Sequence, residues 1–168
     1  MASADEDTQR AALEAQLVRA LTGQGEPPEG FDPARVQAAA EALARKRARA
    51  VARAWPALTR ALADSYGKRF AAFAATRPVP REGGPLADGR AFARWLAAAG
   101  ELPDPGRLEA LAVDLRYARC GGGLVPRRGP VLRAARLRHA RRLVLALRMP
   151  GLGEWWLSVR LGPSTRSG

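Results

Sequence analysis

A chain of 168 residues, 47% hydrophobic and 26% charged, has the length of about one domain and too much apolar content for a disordered tract. Its 28 Lys and Arg outnumber its 16 Asp and Glu, giving a net charge of +12 and an isoelectric point near 11.5, so acidic partners are expected. With one cysteine, Cys120, and one histidine, His139, the chain excludes an internal disulfide framework, a thiolate zinc site and an iron–sulfur cluster.

The first predicted element is an amphipathic helix over residues 7–22, with Leu13, Leu17, Val18 and Leu21 at helical spacing. Gly23 ends it, and a Pro27-Pro28 loop follows. Asp32-Pro33 is a start signal, an acid at the cap and proline in the first turn, for a helix running to Ala54. Val36, Leu43 and Val51 mark its inner stripe, and Arg45, Lys46, Arg47, Arg49 and Arg53 fill the rest of its second half. Trp55-Pro56 breaks that helix and opens the next, in which Leu58, Leu62, Tyr66, Phe70 and Phe73 recur to about Thr76. After a Pro- and Gly-rich loop, Asp88 is the expected cap of a helix holding Phe92, Trp95 and Leu96. Asp104-Pro105 opens another, with Leu108, Leu111 and Leu115 inside.

Beyond Gly121-Gly122-Gly123, read as a flexible joint, the period changes from helix to strand. Strands are predicted over 131–137, 142–149 and 155–161, with Pro150 to Gly153 as a turn. Leu143, Leu145, Leu147 and Met149, together with Trp155, Leu157, Val159 and Leu161, are expected to face the core; Arg148, Trp156, Ser158 and Arg160 then face away. The fold expected is α+β and mainly α: a five-helix N-terminal part followed by a small antiparallel sheet. Its segments are an acidic helix and loop (1–31), a helical domain (32–120), a basic β-meander (121–161) and a mobile tail (162–168). Their net charges run −4, +7 and then +9 for everything after residue 120.

The acidic start lacks a secretory pattern, and no apolar run approaches the roughly 18 residues of a spanning helix, so a cytoplasmic protein without membrane insertion is expected. The glycine motifs that cradle phosphates are absent, and neither a cofactor nor a catalytic constellation is expected.

Residues 40–118 resemble the N-terminal domain of HvfC/BufC-type proteins, a family long labelled DNA-binding. The likeness rests on a basic helix followed by Trp55-Pro56-Ala57-Leu58, then Tyr66-Gly67-Lys68-Arg69-Phe70 with Phe73. It continues through Asp88-Gly89-Arg90-Ala91-Phe92-Ala93-Arg94-Trp95-Leu96 and a Pro-introduced helix with Leu108-Glu109-Ala110-Leu111-Ala112. The family's Tyr and Asn in the basic helix are replaced here by Ala44-Arg45-Lys46-Arg47. The Ala- and Arg-rich style is similar to small Streptomyces proteins of this layout, an actinobacterial variant. What the resemblance implies is an adaptor for a multinuclear iron-dependent oxidative enzyme that modifies cysteine-containing ribosomal peptides, with no chemistry of its own.

From the residues themselves, Arg133, Arg136, Arg138, Arg148, Trp156 and Arg160 form the candidate site for an acidic peptide or protein partner added along a strand edge. Edge arginines also serve simply to block aggregation, and Trp156 could instead pack beneath a helix. Arg45, Lys46, Arg49 and Arg53 are a second basic patch, equally readable as a solvated helix face. The alternative function is DNA binding through phosphate contacts from the Arg-rich helix and the strands; against base-specific readout, Asn is absent and Gln is scarce where Arg clusters. Cys120 is expected to be a half-buried hydrophobe.

Overall fold

A computed structural model describes residues 2–22, 25–80, 82–120 and 123–162. Among these, six helices precede five strands: α1 (Ala2–Leu21), α2 (Pro33–Ala54), α3 (Pro56–Leu62), α4 (Ser65–Thr76), α5 (Gly84–Ala98), α6 (Asp104–Arg116), then β1 (Tyr117–Cys120), β2 (Gly123–Pro126), β3 (Val131–Leu137), β4 (Arg142–Met149) and β5 (Gly153–Arg160). The mainly α, α+β class is as the sequence predicts. Gly121, Gly122 and the tail from residue 163 lie outside the described residues.

Local differences have local causes. The single helix predicted over 56–76 is two helices, because Ala63 turns left-handed at φ +46° and its N–H closes on Thr59 O at 3.0 Å. An alanine carries no sequence mark of such a bend. Asp88 is not a cap. Helix α5 begins one turn earlier, at Gly84-Pro85, with Gly83 left-handed before it, and Asp88 is buried within the helix. The end of α6 passes directly into a short antiparallel hairpin, β1–β2, with Tyr117 opposite Pro126 and Cys120 opposite Gly123. Gly123 is therefore a strand residue and no joint. It is buried, and a Cβ there would stand 2.6 Å from the Glu82 Cβ. Cys120 is exposed rather than half-buried.

The chain divides into two compact units, one of Met1–Val51 with Asp64–Val79, the other of Ala52–Ala63 with Pro80–Gly168. In the first, Asp32 caps α2 by accepting the Ala34 N–H at 2.9 Å. Phe70 and Phe73 meet edge-on at 5.5 Å in its core, and the Tyr66 hydroxyl donates to Ala48 O at 2.7 Å. Arg47 belongs to this core and not to the basic face. It is 9% exposed, donates to Arg77 O and Pro78 O at 2.9 and 3.3 Å, and lies over both phenyl rings.

In the second unit, Trp55 is fully buried and donates its indole N–H to Leu86 O at 3.2 Å. The seven-residue α3 has no cap of its own. Glu109 of α6 supplies one, accepting the N–H groups of Ala57 and Leu58 at 3.1 and 2.8 Å. Helix α6 then packs on the three-stranded sheet through Leu111 and Leu115, against Val131, Leu137, Val144 and Ala146.

The first residue of α6 also holds a distant turn. Both carboxylate oxygens of Asp104 accept backbone N–H groups from the β3–β4 turn: Arg138 and His139 at 2.9 Å, Ala140 at 3.1 Å. Burial opposes the Asp104 charge, but these three donors and the neighbouring His139 outweigh it and hold the carboxyl below its ordinary range. A depressed carboxylate contributes stability above the ordinary aspartate value, and that contribution is lost as pH falls through the lower folded-state value. Asp104→Ala is expected to lower the unfolding free energy by about 2 kcal/mol at neutral pH, since three donors lose a charged acceptor. The deficit should shrink in acid. Denaturant melts at pH 7 and pH 3 check both statements, and an equal deficit at the two pH values would refute the linkage.

Candidate functional site

The sheet order is β3-β4-β5, antiparallel throughout, so β3 and β5 are its two edges. Register assigns its faces, because directly opposed residues share a side. One side carries Val131, Arg133, Ala135 and Leu137 of β3, Val144, Ala146 and Arg148 of β4, and Glu154, Trp156, Ser158 and Arg160 of β5. This is the side on which α6 packs. The other carries Leu132, Ala134 and Arg136, then Leu143, Leu145, Leu147 and Met149, then Trp155, Leu157 and Val159.

The core-facing side is thus the reverse of the one predicted. β4 carries apolar residues on both faces, Val144 and Ala146 between two arginines on one and Leu143, Leu145, Leu147 and Met149 on the other, and alternation points to the larger set. Packing chooses the smaller set. Ala135, Val144 and Ala146 let α6 approach closely, and Leu111 and Leu115 fill the space they leave. The larger set then faces solvent: Leu132 is 63% exposed, Trp155 49%, Leu157 59% and Val159 47%.

The predicted site residues fall in several places. Arg133 and Arg160 are exposed on the α6 side, where Arg160 stands opposite Arg142 across the strands, a like-charge pair that an acidic ligand would relieve. Arg136 shares the outer apolar face, and Arg138 lies in the turn. Arg148 is half-buried and engaged, donating to Arg127 O at 3.2 Å and standing 3.8 Å from Glu154. Trp156 is 44% exposed on the α6 side. Arg116 clamps Glu154 with two bonds of 2.8 and 3.0 Å; that bonding outweighs burial and holds the Glu154 carboxyl below the usual range. On α2, Arg45, Lys46, Arg49 and Arg53 are all exposed, with Arg45 3.6 Å from Glu41.

The site residues that sequence reasoning missed are Leu132, Trp155 and Leu157, which it had assigned to the core or left unremarked. Their one signal was that β4 and β5 carry more large apolar side chains than a single helix can cover. Among the described residues, no group of three His, Cys, Asp or Glu could hold a metal ion, and no helix is long and apolar enough to cross a membrane.

Residues 11–98 match the family described as SCO6045-like, C-terminal domain. A UPF0276 protein of Streptomyces avermitilis is 39% identical over 146 residues, covering 86% of this chain and 28% of that protein. The chain therefore spans little more than a quarter of that relative's length. No solved structure matches it.

Proposed function

The chain belongs to the SCO6045-like C-terminal domain family, and from that premise we propose that it is a non-enzymatic accessory protein that docks a partner enzyme on the β3–β5 sheet. The observation that carries this reading is the outer sheet face. Leu132, Trp155, Leu157 and Val159 are about half exposed on a sheet whose edges are β3 and β5. Isolated domains rarely leave so continuous an apolar surface in water, and aromatic anchors on such a surface are typical of protein interfaces. The edges offer main-chain pairing to an extended peptide, and Arg133, Arg136, Arg138 and Arg160 supply steering for an acidic one.

Two further points support an accessory role. In the Streptomyces avermitilis relative the matched region makes up 28% of the chain, so in that protein it is covalently part of a much longer polypeptide. The HvfC/BufC resemblance gives the partner a chemical class: a multinuclear iron-dependent oxidative enzyme, with a cysteine-containing precursor peptide as its substrate. In this reading the apolar face takes the enzyme and the Arg-bearing edges take the peptide.

The test is capture from the native lysate with and without nuclease, read by mass spectrometry and by ultraviolet absorbance. An iron-containing enzyme or a small cysteine-containing peptide is expected to survive nuclease treatment. Trp155→Ser with Leu157→Ser should weaken that capture by about 30-fold or more, the size of an interface hot spot, without lowering the melting temperature. Undiminished capture by this variant would remove the sheet face from the interface. The rival reading is duplex binding through phosphates, favoured by the +12 charge and the exposed Arg45, Lys46 and Arg49. It requires nucleic acid as the sole co-purifying species and an affinity falling by roughly 0.9 log units per log salt for each phosphate neutralised.

A further inference from the structure

Four arginines line one cleft at the end of the sheet. Arg107 of α6, Arg136 of β3, and Arg138 and Arg141 of the β3–β4 turn line a single cleft of about 540 Å³, together with Leu137 and Leu161. Asp104 stands 3.8 Å from Arg107 Nε, beyond hydrogen-bonding distance, and its oxygens are engaged by the backbone N–H groups of residues 138–140. Four positive charges therefore face one carboxylate that is occupied elsewhere.

Two features mark this cluster as more than a solvated surface. Arg107 Nε and Nη2 are buried with no hydrogen-bond partner among the described residues. Charged donors in that condition are strongly destabilising until an acceptor reaches them, and buried polar groups in folded proteins are satisfied with few exceptions. Arg141, in turn, is held left-handed at φ +47°, a conformation disfavoured for a residue with a Cβ. Its carbonyl accepts the Leu161 N–H at 2.8 Å, and Asp104 clamps the three residues before it, so the strain is retained by the surroundings.

We propose that this cleft is an oxyanion site for a compact phosphate-bearing ligand. An excess of about three positive charges is matched poorly by one carboxylate and well by a phosphate dianion, whose oxygens suit several guanidinium forks at once. The site shares Arg136 and Arg138 with the docking reading, but a small anion needs neither the apolar sheet face nor main-chain pairing at an edge.

The experiment titrates inorganic phosphate, phosphoserine and acetate separately into the full chain at pH 7.5 and matched ionic strength, followed by calorimetry and by thermal unfolding. Saturable binding of phosphate or phosphoserine, with a rise in melting temperature, is expected, and acetate should give at least tenfold weaker binding. A stronger response to phosphoserine assigns the site to phosphate esters, and a stronger response to inorganic phosphate to the free ion. Arg136→Gln and Arg141→Gly, both at exposed positions, should each cut phosphate affinity several-fold. Arg141→Gly should do so while matching or exceeding the wild-type melting temperature without ligand, since glycine accepts the left-handed turn. Trp155→Ser with Leu157→Ser should leave the phosphate titration unchanged, which separates this site from partner docking. Equal responses to acetate and phosphate, a response unmoved by both arginine variants, or no saturable response would each overturn the assignment.

Discussion

Gly89→Ala is expected to destabilise the second unit by about 3 kcal/mol. A Cβ at position 89 would fall against both Cδ1 and Nε1 of Trp55, inside any allowed contact. The indole has nowhere to retreat. It is fully buried and tied to Leu86 O through its only donor. Alanine would by itself favour α5 by about 1 kcal/mol over glycine. Displacing a buried tryptophan forfeits much of what removing it forfeits, about 3–5 kcal/mol, so the clash outweighs the propensity. Urea unfolding followed by tryptophan fluorescence checks the result, and an unchanged midpoint would mean that the ring has room the packing does not show.

Arg47→Ala is expected to cost a similar amount, about 3 kcal/mol, in the first unit. Its guanidinium donates to two carbonyls of the segment after α4 and covers two phenyl rings at 5.8 and 5.5 Å. Hydrogen bonds from a charged donor contribute about 1.5–3 kcal/mol each, and the ring contacts add about 1. Not all of this is lost, because the carbonyls regain some water in the variant. Arg47→Lys should recover less than half of the loss, since an ammonium lacks the planar fork that serves both carbonyls while lying flat on the rings. Thermal melts of the three proteins decide this. Full recovery by lysine would reduce the role of Arg47 to its charge.

These two residues also show where reading the sequence stops. The bounds of α2 follow to the residue from Asp32-Pro33 and Trp55-Pro56, because capping and proline geometry act within one turn of chain. Asp104 was legible as a helix start for the same reason. That it also clasps a turn more than thirty residues away was not, because nothing local requires it. Arg47 looked like its exposed neighbours Arg45 and Arg49, and only the approach of Phe70 and Phe73 sets it apart. The three strands of the larger sheet were found by alternation and the β1–β2 hairpin was not, and the covered face of β4 was decided by how closely α6 could approach Ala146. The Arg cleft draws on three elements, with Arg107 about thirty residues from the others, so neither spacing nor periodicity could assemble it.

The outer face of the sheet also governs how copies of this chain behave toward one another. Two such faces could bury their leucines and tryptophans together, and what opposes that encounter over a distance is the shared charge of +12. That repulsion weakens with ionic strength, reaching only about 10 Å at 0.1 M salt. Sulfate, which strengthens apolar burial, works in the same direction. The chain is therefore colloidally safest in dilute salt, where its arginines hold apart the surfaces that its strands leave bare.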